Sequence, residues 1–216
     1  AKGGTAGGGS LSAASEARSL AASLHMLHDV PAAGHALETP CAALLTAGPA
    51  AGKTTLLSQV VTLGLEGSER AGGTALVPIL VKVQRLQRRL LDAPDAFAAS
   101  WNYVDTYLRL EYEASSPAAY RMLRQAMMAR RALLLLDGLD EGGAKRDDIE
   151  RHVAEVLAPQ GHVLLCTSRP AGVDETRFAA FRRLTLAPLT DAQQEEALRQ
   201  RLGAERAGAL LPDRKE

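Results

Sequence analysis

Leu44-Leu45-Thr46-Ala47-Gly48-Pro49-Ala50-Ala51-Gly52-Lys53-Thr54-Thr55-Leu56-Leu57 is the stretch on which the fold turns. An apolar strand runs into a loop of small residues, the loop ends in Gly-Lys-Thr, and an apolar helical pattern through Val60 and Val61 begins at once. At such a junction the first N–H groups of the helix have no intrahelical partner, and the helix dipole adds partial positive charge where they converge. The result is an anion site of the kind that cradles phosphate. Gly48, Ala51, Gly52, Lys53, Thr54 and Thr55 are therefore the nucleotide-binding candidates. Lys53 brings a cation to the β- and γ-phosphates, and Thr54 offers a hydroxyl to a magnesium ion. Two alanines depart from the usual template. Ala47 stands where the loop ordinarily opens on glycine, with Gly48 one position late. Ala50 stands where many such loops have glycine, and an alanine held at positive φ costs about 1–2 kcal/mol.

Outward from this loop the chain alternates strands and helices. Residues 42–47 read as the first strand, followed by the loop and a helix to about Leu65. Gly72-Gly73 mark a turn. Residues 75–83 form a second strand in which Pro78 indicates an edge position or a strand start, because proline cannot donate to a ladder. A polar helix follows from Gln84 to Leu91, a longer one over 95–112 and another over 117–131. Leu133–Leu136 form a third strand, 147–157 a helix with Ile149, Val153, Val156 and Leu157 on one face, Val163–Cys166 a fourth strand, and Phe181–Leu186 a fifth. Thr190 is an N-cap candidate for a helix running to the end. Strands that are continuously apolar are buried on both faces, the mark of a parallel sheet covered by helices. The expected class is α/β, a P-loop NTPase fold with a mainly parallel sheet between two helical layers, with strand C-termini along one ligand-binding rim.

A phosphate loop needs partners on that rim. Leu133-Leu134-Leu135-Leu136-Asp137 is an apolar strand ending in a carboxylate suited to a magnesium shell, so Thr54 and Asp137 are the metal candidates. Asp140 and Glu141 follow directly, and one of them is positioned to direct or deprotonate a water; the sequence leaves open which. The next strand ends in Thr167-Ser168-Arg169-Pro170, which puts Arg169 on the same rim as a γ-phosphate sensor or transition-state stabiliser. Asp140, Glu141 and Arg169 are the catalytic candidates.

Composition sets bounds. The 216 residues are 46% hydrophobic but only 4% aromatic, so the core is built from Leu, Val and Ala, and the formal net charge is zero. That balance gives no electrostatic footprint for nucleic acid. No apolar run is long enough to span a membrane. Cys41 and Cys166 sit in or beside apolar runs and read as buried thiols in a reducing compartment, hence a cytoplasmic expectation. Residues 1–10 are Gly-rich and expected to be disordered, and 11–41 read as a helix and a loop leading into a core at 42–188. Residues 189–216 read as the start of a truncated helical region, the whole being a fragment of something longer.

Leu-Leu-Leu-Leu-Asp-Gly-Leu-Asp-Glu at 133–141, preceded by Gly-Lys-Thr-Thr-Leu-Leu and followed by Val-Leu-Leu-Cys-Thr-Ser-Arg-Pro, resembles the NACHT family. This is a branch of the signal-transduction ATPases with numerous domains, and the similarity covers about residues 42–200. The resemblance implies ATP or GTP binding with magnesium, nucleotide-controlled oligomerisation, and a regulated switch acting on effector proteins through flanking domains. It assigns Lys53 and Thr54 to phosphate and metal, Asp137 to the metal shell, Asp140 and Glu141 to the water, and Arg169 to sensing. The family's helical and winged-helix domains, which carry a histidine against ADP, would lie beyond residue 216. His25, His28, His35, His152 and His162 therefore read as structural or surface residues, and Trp101 and Tyr103 as packing. A competing reading is a non-hydrolysing nucleotide-binding or scaffold module, which the alanine-bearing loop favours. A transporter ATPase would show Leu-Ser-Gly-Gly-Gln and a GTPase Asn-Lys-x-Asp; neither is present.

Overall fold

A computed structural model of the chain describes residues 41–70, 76–187 and 189–202. The expectations for residues 1–40, for the Gly72-Gly73 turn and for the chain after Leu202 lie outside the described residues. The elements run β1 (Ala42–Thr46), α1 (Lys53–Arg70), β2 (Val77–Lys82), α2 (Val83–Asp92), α3 (Pro94–Ala98), α4 (Tyr103–Tyr112), α5 (Pro117–Met128) and β3 (Ala132–Asp137). Two short 3-10 turns (Leu139–Glu141 and Gly143–Lys145) lead into α6 (Arg146–His152), which continues as a π turn (Val153–Leu157). β4 (Val163–Ser168), β5 (Arg182–Thr185) and α7 (Asp191–Leu202) complete the order.

The five strands form one sheet in the order β2-β3-β4-β1-β5, every pair parallel. The apolar runs are divided by the pleat. Ala132, Leu134 and Leu136 of β3 face one core with Leu164 and Cys166 of β4, while Leu133 and Leu135 face the other with Val163 and Leu165. The first core is closed by α2 to α6, through Val83, Leu86, Leu90, Val104, Leu108, Met127, Ile149 and Val153. The second is closed by Leu56, Leu57 and Val60 of α1. Each fully buried leucine contributes about 1.5–3 kcal/mol over the exposed state, which is why the strands with no polar face sit centrally. Pro78 lies on β2, one of the two outer strands of this sheet, where its missing N–H is tolerated. No described helix is long and apolar enough to cross a membrane.

Three boundaries correct the sequence reading. The helix expected over 95–112 is two helices, α3 and α4, broken at 99–102. Asn102 accounts for the break: its Oδ1 accepts from the N–H groups of Val104 (2.8 Å) and Asp105 (3.1 Å), capping a new helix. The helix expected over 117–131 stops at Met128. Arg130 adopts φ +54°, its N–H donates to the Met127 carbonyl (3.0 Å) and that of Arg131 to the Ala126 carbonyl (2.8 Å), a Schellman ending. The 147–157 helix relaxes into a π turn, with the Ala158 N–H reaching the Val153 carbonyl (3.0 Å). The wider turn rotates the face, so Val156 is only half-buried while Ile149, Val153 and Leu157 are buried. At α7 the expectation holds: Gln193 N–H donates to Thr190 Oγ1 (3.3 Å) and Thr190 N–H to Gln193 Oε1 (2.9 Å), a capping box.

Candidate nucleotide site

β1 lies between β4 and β5, and β4 between β1 and β3, so the loops leaving β1, β3 and β4 meet at one rim. The register sets the order there, with Thr46 opposite Ser168 and Leu136 opposite Cys166. The next residues, Asp137 and Thr167, are consequently neighbours. The loop after β1 is tied to β4 by the Ala47 N–H donating to the Ser168 carbonyl (3.1 Å).

Within the loop Ala50 stands at φ +58° and Gly52 at +88°. The first is the left-handed conformation anticipated for this alanine, and only the second residue is a glycine that adopts it without strain. α1 begins at Lys53, and its first backbone bond runs from Leu56 N–H to the Gly52 carbonyl (2.9 Å). The N–H groups of Lys53, Thr54 and Thr55 precede that bond and have no intrahelical acceptor. Lys53 folds back over the loop, its Nζ donating to the carbonyls of Ala47 (2.9 Å) and Gly48 (3.0 Å). A cavity of about 350 Å³ opens in front, lined by Pro49 to Thr55 together with Asp140, Glu141 and Arg169. Gly48 does not line it; its carbonyl steadies Lys53 from behind.

Below the cavity Thr54 Oγ1 donates to Asp137 Oδ2 (2.8 Å). The other oxygen, Oδ1, accepts from Thr167 Oγ1 (3.0 Å), and Thr167 Oγ1 in turn accepts from the Gly138 N–H (2.9 Å). Asp137 is 8% exposed and Thr167 fully buried, so this chain of bonds satisfies groups that water cannot reach. Gly138 takes φ +79°, and a Cβ there would lie 3.1 Å from the Glu141 side chain, so glycine is what lets the acidic turn fold under. On the other side Asp140 Oδ2 pairs with Arg169 Nε (3.0 Å).

The structure thus brings Gly52, Lys53, Thr54, Thr55, Asp137, Asp140, Glu141 and Arg169 to one rim, with Ala51 in the cavity wall. Sequence reasoning missed Thr167 and Ser168. The signal was available: a hydroxyl residue at the buried end of an apolar strand must find a partner. Trp101 is 44% exposed and does not line the cavity. His152 is structural, its ring stacked on Tyr103 at 3.8 Å and its Nε2 accepting the Tyr103 N–H (2.9 Å). Burial pushes its pKa down to about 4. Cys41 and Cys166 are buried thiols in no disulfide, and burial pushes both pKa values up, away from the thiolate form.

Among solved structures the chain is similar to PCH-2 of C. elegans, with 14% identity and TM-score 0.50 over 94% of this chain and 50% of that one. It is equally similar to AMPPCP-bound DnaA from Aquifex aeolicus, at 16% identity and TM-score 0.50 over 94% of this chain and 56% of that one. Domain III of the replication initiation protein DnaA from Thermotoga maritima aligns at 13% identity and TM-score 0.50, covering 88% of this chain and 70% of that one. The chain spans about half the length of the first two, and the likeness is one of fold. No curated protein matches the sequence. The family model described as NACHT domain matches residues 44–205, well over half the chain. With the phosphate loop, the aspartate-ended strand and the strand-end arginine converging on one cavity, the chain belongs to the NACHT family and is a nucleotide-binding module of P-loop NTPase fold.

Proposed function

We propose that this chain binds ATP with magnesium, hydrolyses it slowly, and serves as the nucleotide-controlled switch of a larger protein that self-associates and engages effectors. The observation that carries the reading is the cavity of about 350 Å³ on which Lys53, Thr54, Glu141 and Arg169 converge, with Asp137 directly beneath Thr54. The three outward N–H groups of α1 and the Lys53 ammonium receive the phosphates. Arg169 meets the terminal phosphate, and the acidic turn directs water toward it.

The donor set at the base of the cavity fits magnesium. Thr54 Oγ1 and Asp137 Oδ2 are hard oxygens 2.8 Å apart, and one hydroxyl plus one carboxylate is what this ion takes when phosphate oxygens and water complete its shell. Thr54 and Asp137 would hold the ion, which when bound neutralises charge on the β- and γ-phosphates. Turnover is slow because the reacting groups are wet: Arg169 is 58% exposed and Glu141 is exposed. Charges in contact with water stabilise a transition state weakly, which places turnover below ~1 s⁻¹.

Residues 42–188 form the NTPase core in this reading, and α7 opens a helical region. A second reading, a nucleotide-binding scaffold without hydrolysis, is favoured by Ala50 at φ +58°, which strains the loop where it meets phosphate. A magnesium-dependent phosphate-release assay with ATP and GTP side by side separates them. Release that needs magnesium supports the switch ATPase; binding without release supports the scaffold; neither binding nor release overturns both.

A further inference from the structure

Of the two acids after Asp137, we propose that Asp140 is a positioning residue that holds Arg169 and its strand end, leaving Glu141 alone to direct water. The inference rests on the ATPase reading above and deepens it. Asp140 is 12% exposed in its side chain, and both oxygens are engaged with the end of β4. Oδ2 pairs with Arg169 Nε at 3.0 Å, while Oδ1 accepts the Arg169 N–H at 3.2 Å and Ser168 Oγ at 3.4 Å. Glu141 lines the same cavity and is exposed; its N–H donates to the Gly138 carbonyl (2.9 Å), but its carboxylate makes no hydrogen bond or ion pair with a described residue. Two adjacent carboxylates are thus in opposite situations, and only one is free to take a proton from water.

The backbone is shaped around the clamp. After Arg169 the chain turns back, Gly172 N–H donating to the Arg169 carbonyl (2.9 Å), and passes directly over Asp140. A Cβ on Gly172 would lie 2.5 Å from Asp140 Cβ and 2.8 Å from Ser168 Oγ, so no other residue allows this approach without a shift. Farther along, Glu150 accepts from the Asp174 N–H and from Arg177 Nη1 (both 3.4 Å), fastening the segment to α6. Arg169 is therefore aimed by Asp140 from below and by a tethered turn from behind. A sensor arginine that is already paired changes partner when a terminal phosphate arrives, so the Asp140 pair sets how strongly ATP is preferred over ADP.

Calorimetric ATP and ADP affinities and turnover, measured for the wild type and for Asp140→Asn, Arg169→Ala, the double variant, Glu141→Gln and Gly172→Ala, test this. Asp140→Asn should change the ATP-to-ADP affinity ratio as much as Arg169→Ala, by roughly five- to tenfold for one charge-assisted bond in a half-exposed setting. The double variant should go no further. Gly172→Ala should shift the ratio in the same direction without altering any charge. Glu141→Gln should leave the ratio unchanged while turnover falls more than ~10-fold. The proposal is overturned if Asp140→Asn lowers turnover at an unchanged ratio, if the two single effects add, or if the wild type shows no preference for ATP. A wild type that binds no nucleotide overturns the ATPase reading instead. The clamp is then judged on nucleotide-free denaturation midpoints of the wild type, Asp140→Asn, Arg169→Ala and the double variant, where non-additivity supports it and additivity overturns it.

Discussion

Thr167→Val should destabilise the protein far more than its size suggests. Valine matches threonine in shape, so no cavity opens and the strand register beside Leu45 is kept. What disappears is one hydroxyl that donates to Asp137 Oδ1 (3.0 Å) and accepts the Gly138 N–H (2.9 Å), in a side chain with no solvent access. A hydrogen bond to a charged group contributes about 1.5–3 kcal/mol, and a buried N–H left without a partner costs about 1–3 kcal/mol. Asp137 keeps its bond from Thr54 and is not itself orphaned, so the combined loss is the sum of these two terms, about 2.5–6 kcal/mol. For a domain of this size that lowers the melting temperature by roughly 5–25 °C. Thr167→Ser keeps the hydroxyl and removes a methyl group, for a loss of about 1 kcal/mol. Urea denaturation of both variants checks the comparison. If Thr167→Val and Thr167→Ser prove equally stable, the hydroxyl is not what orders the end of β3, and the account of Asp137 being held from two sides is wrong.

Two further perturbations have definite signs. Ala50→Gly relieves about 1–2 kcal/mol of left-handed strain at φ +58° but frees the unfolded chain by about 0.4–1 kcal/mol, so a net stabilisation of about 0.5–1 kcal/mol is expected in thermal melts; a loss of stability would contradict the loop geometry. His152 has a folded pKa of about 4 against an ordinary 6.5. The unfolded chain binds the proton more readily, so this contribution is complete above pH ~6.5 and is lost as pH falls toward 4, by up to ~3 kcal/mol. The wild type should therefore lose more stability than His152→Gln between pH 7 and 4.5, and parallel curves would remove His152 from the pH response.

The parts of the fold legible from sequence are those written in local chemistry. The leucine run ending in Asp137 read as a strand buried on both faces, and it is one; of the two places open to Pro78, an edge or a strand start, it takes the edge strand β2. The strain of positive φ was raised for Ala50 because it occupies a place where such loops often have glycine, and the residue does stand at φ +58°. Apolar periodicity hid the break between α3 and α4, since Phe97 and Val104 continue one stripe across it, and the capping role of Asn102 was not read from the sequence. The site was legible as a set of residues on one rim but not as a set of pairings. That Thr54 meets Asp137 and that Arg169 meets Asp140 depends on the order of β3, β4 and β1, which single-strand patterns do not carry. Thr167, Ser168 and Gly172 act through contacts 28 to 32 residues away in the chain, beyond the reach of any local motif.

Isothermal titration of Mg-ATP into the folded wild type and Lys53→Ala tests the central claim most directly. Lys53 is the cation that reaches over the loop, held by two carbonyls that remain when it is removed, so the variant should fold and melt like the wild type. The wild type should bind, with a melting temperature that rises with ligand by about 2.7 kcal/mol of stabilisation at a hundredfold excess over Kd. Lys53→Ala should neither bind nor shift. Equal binding in both proteins, or none in the wild type, would mean that the loop between β1 and α1 does not receive phosphate.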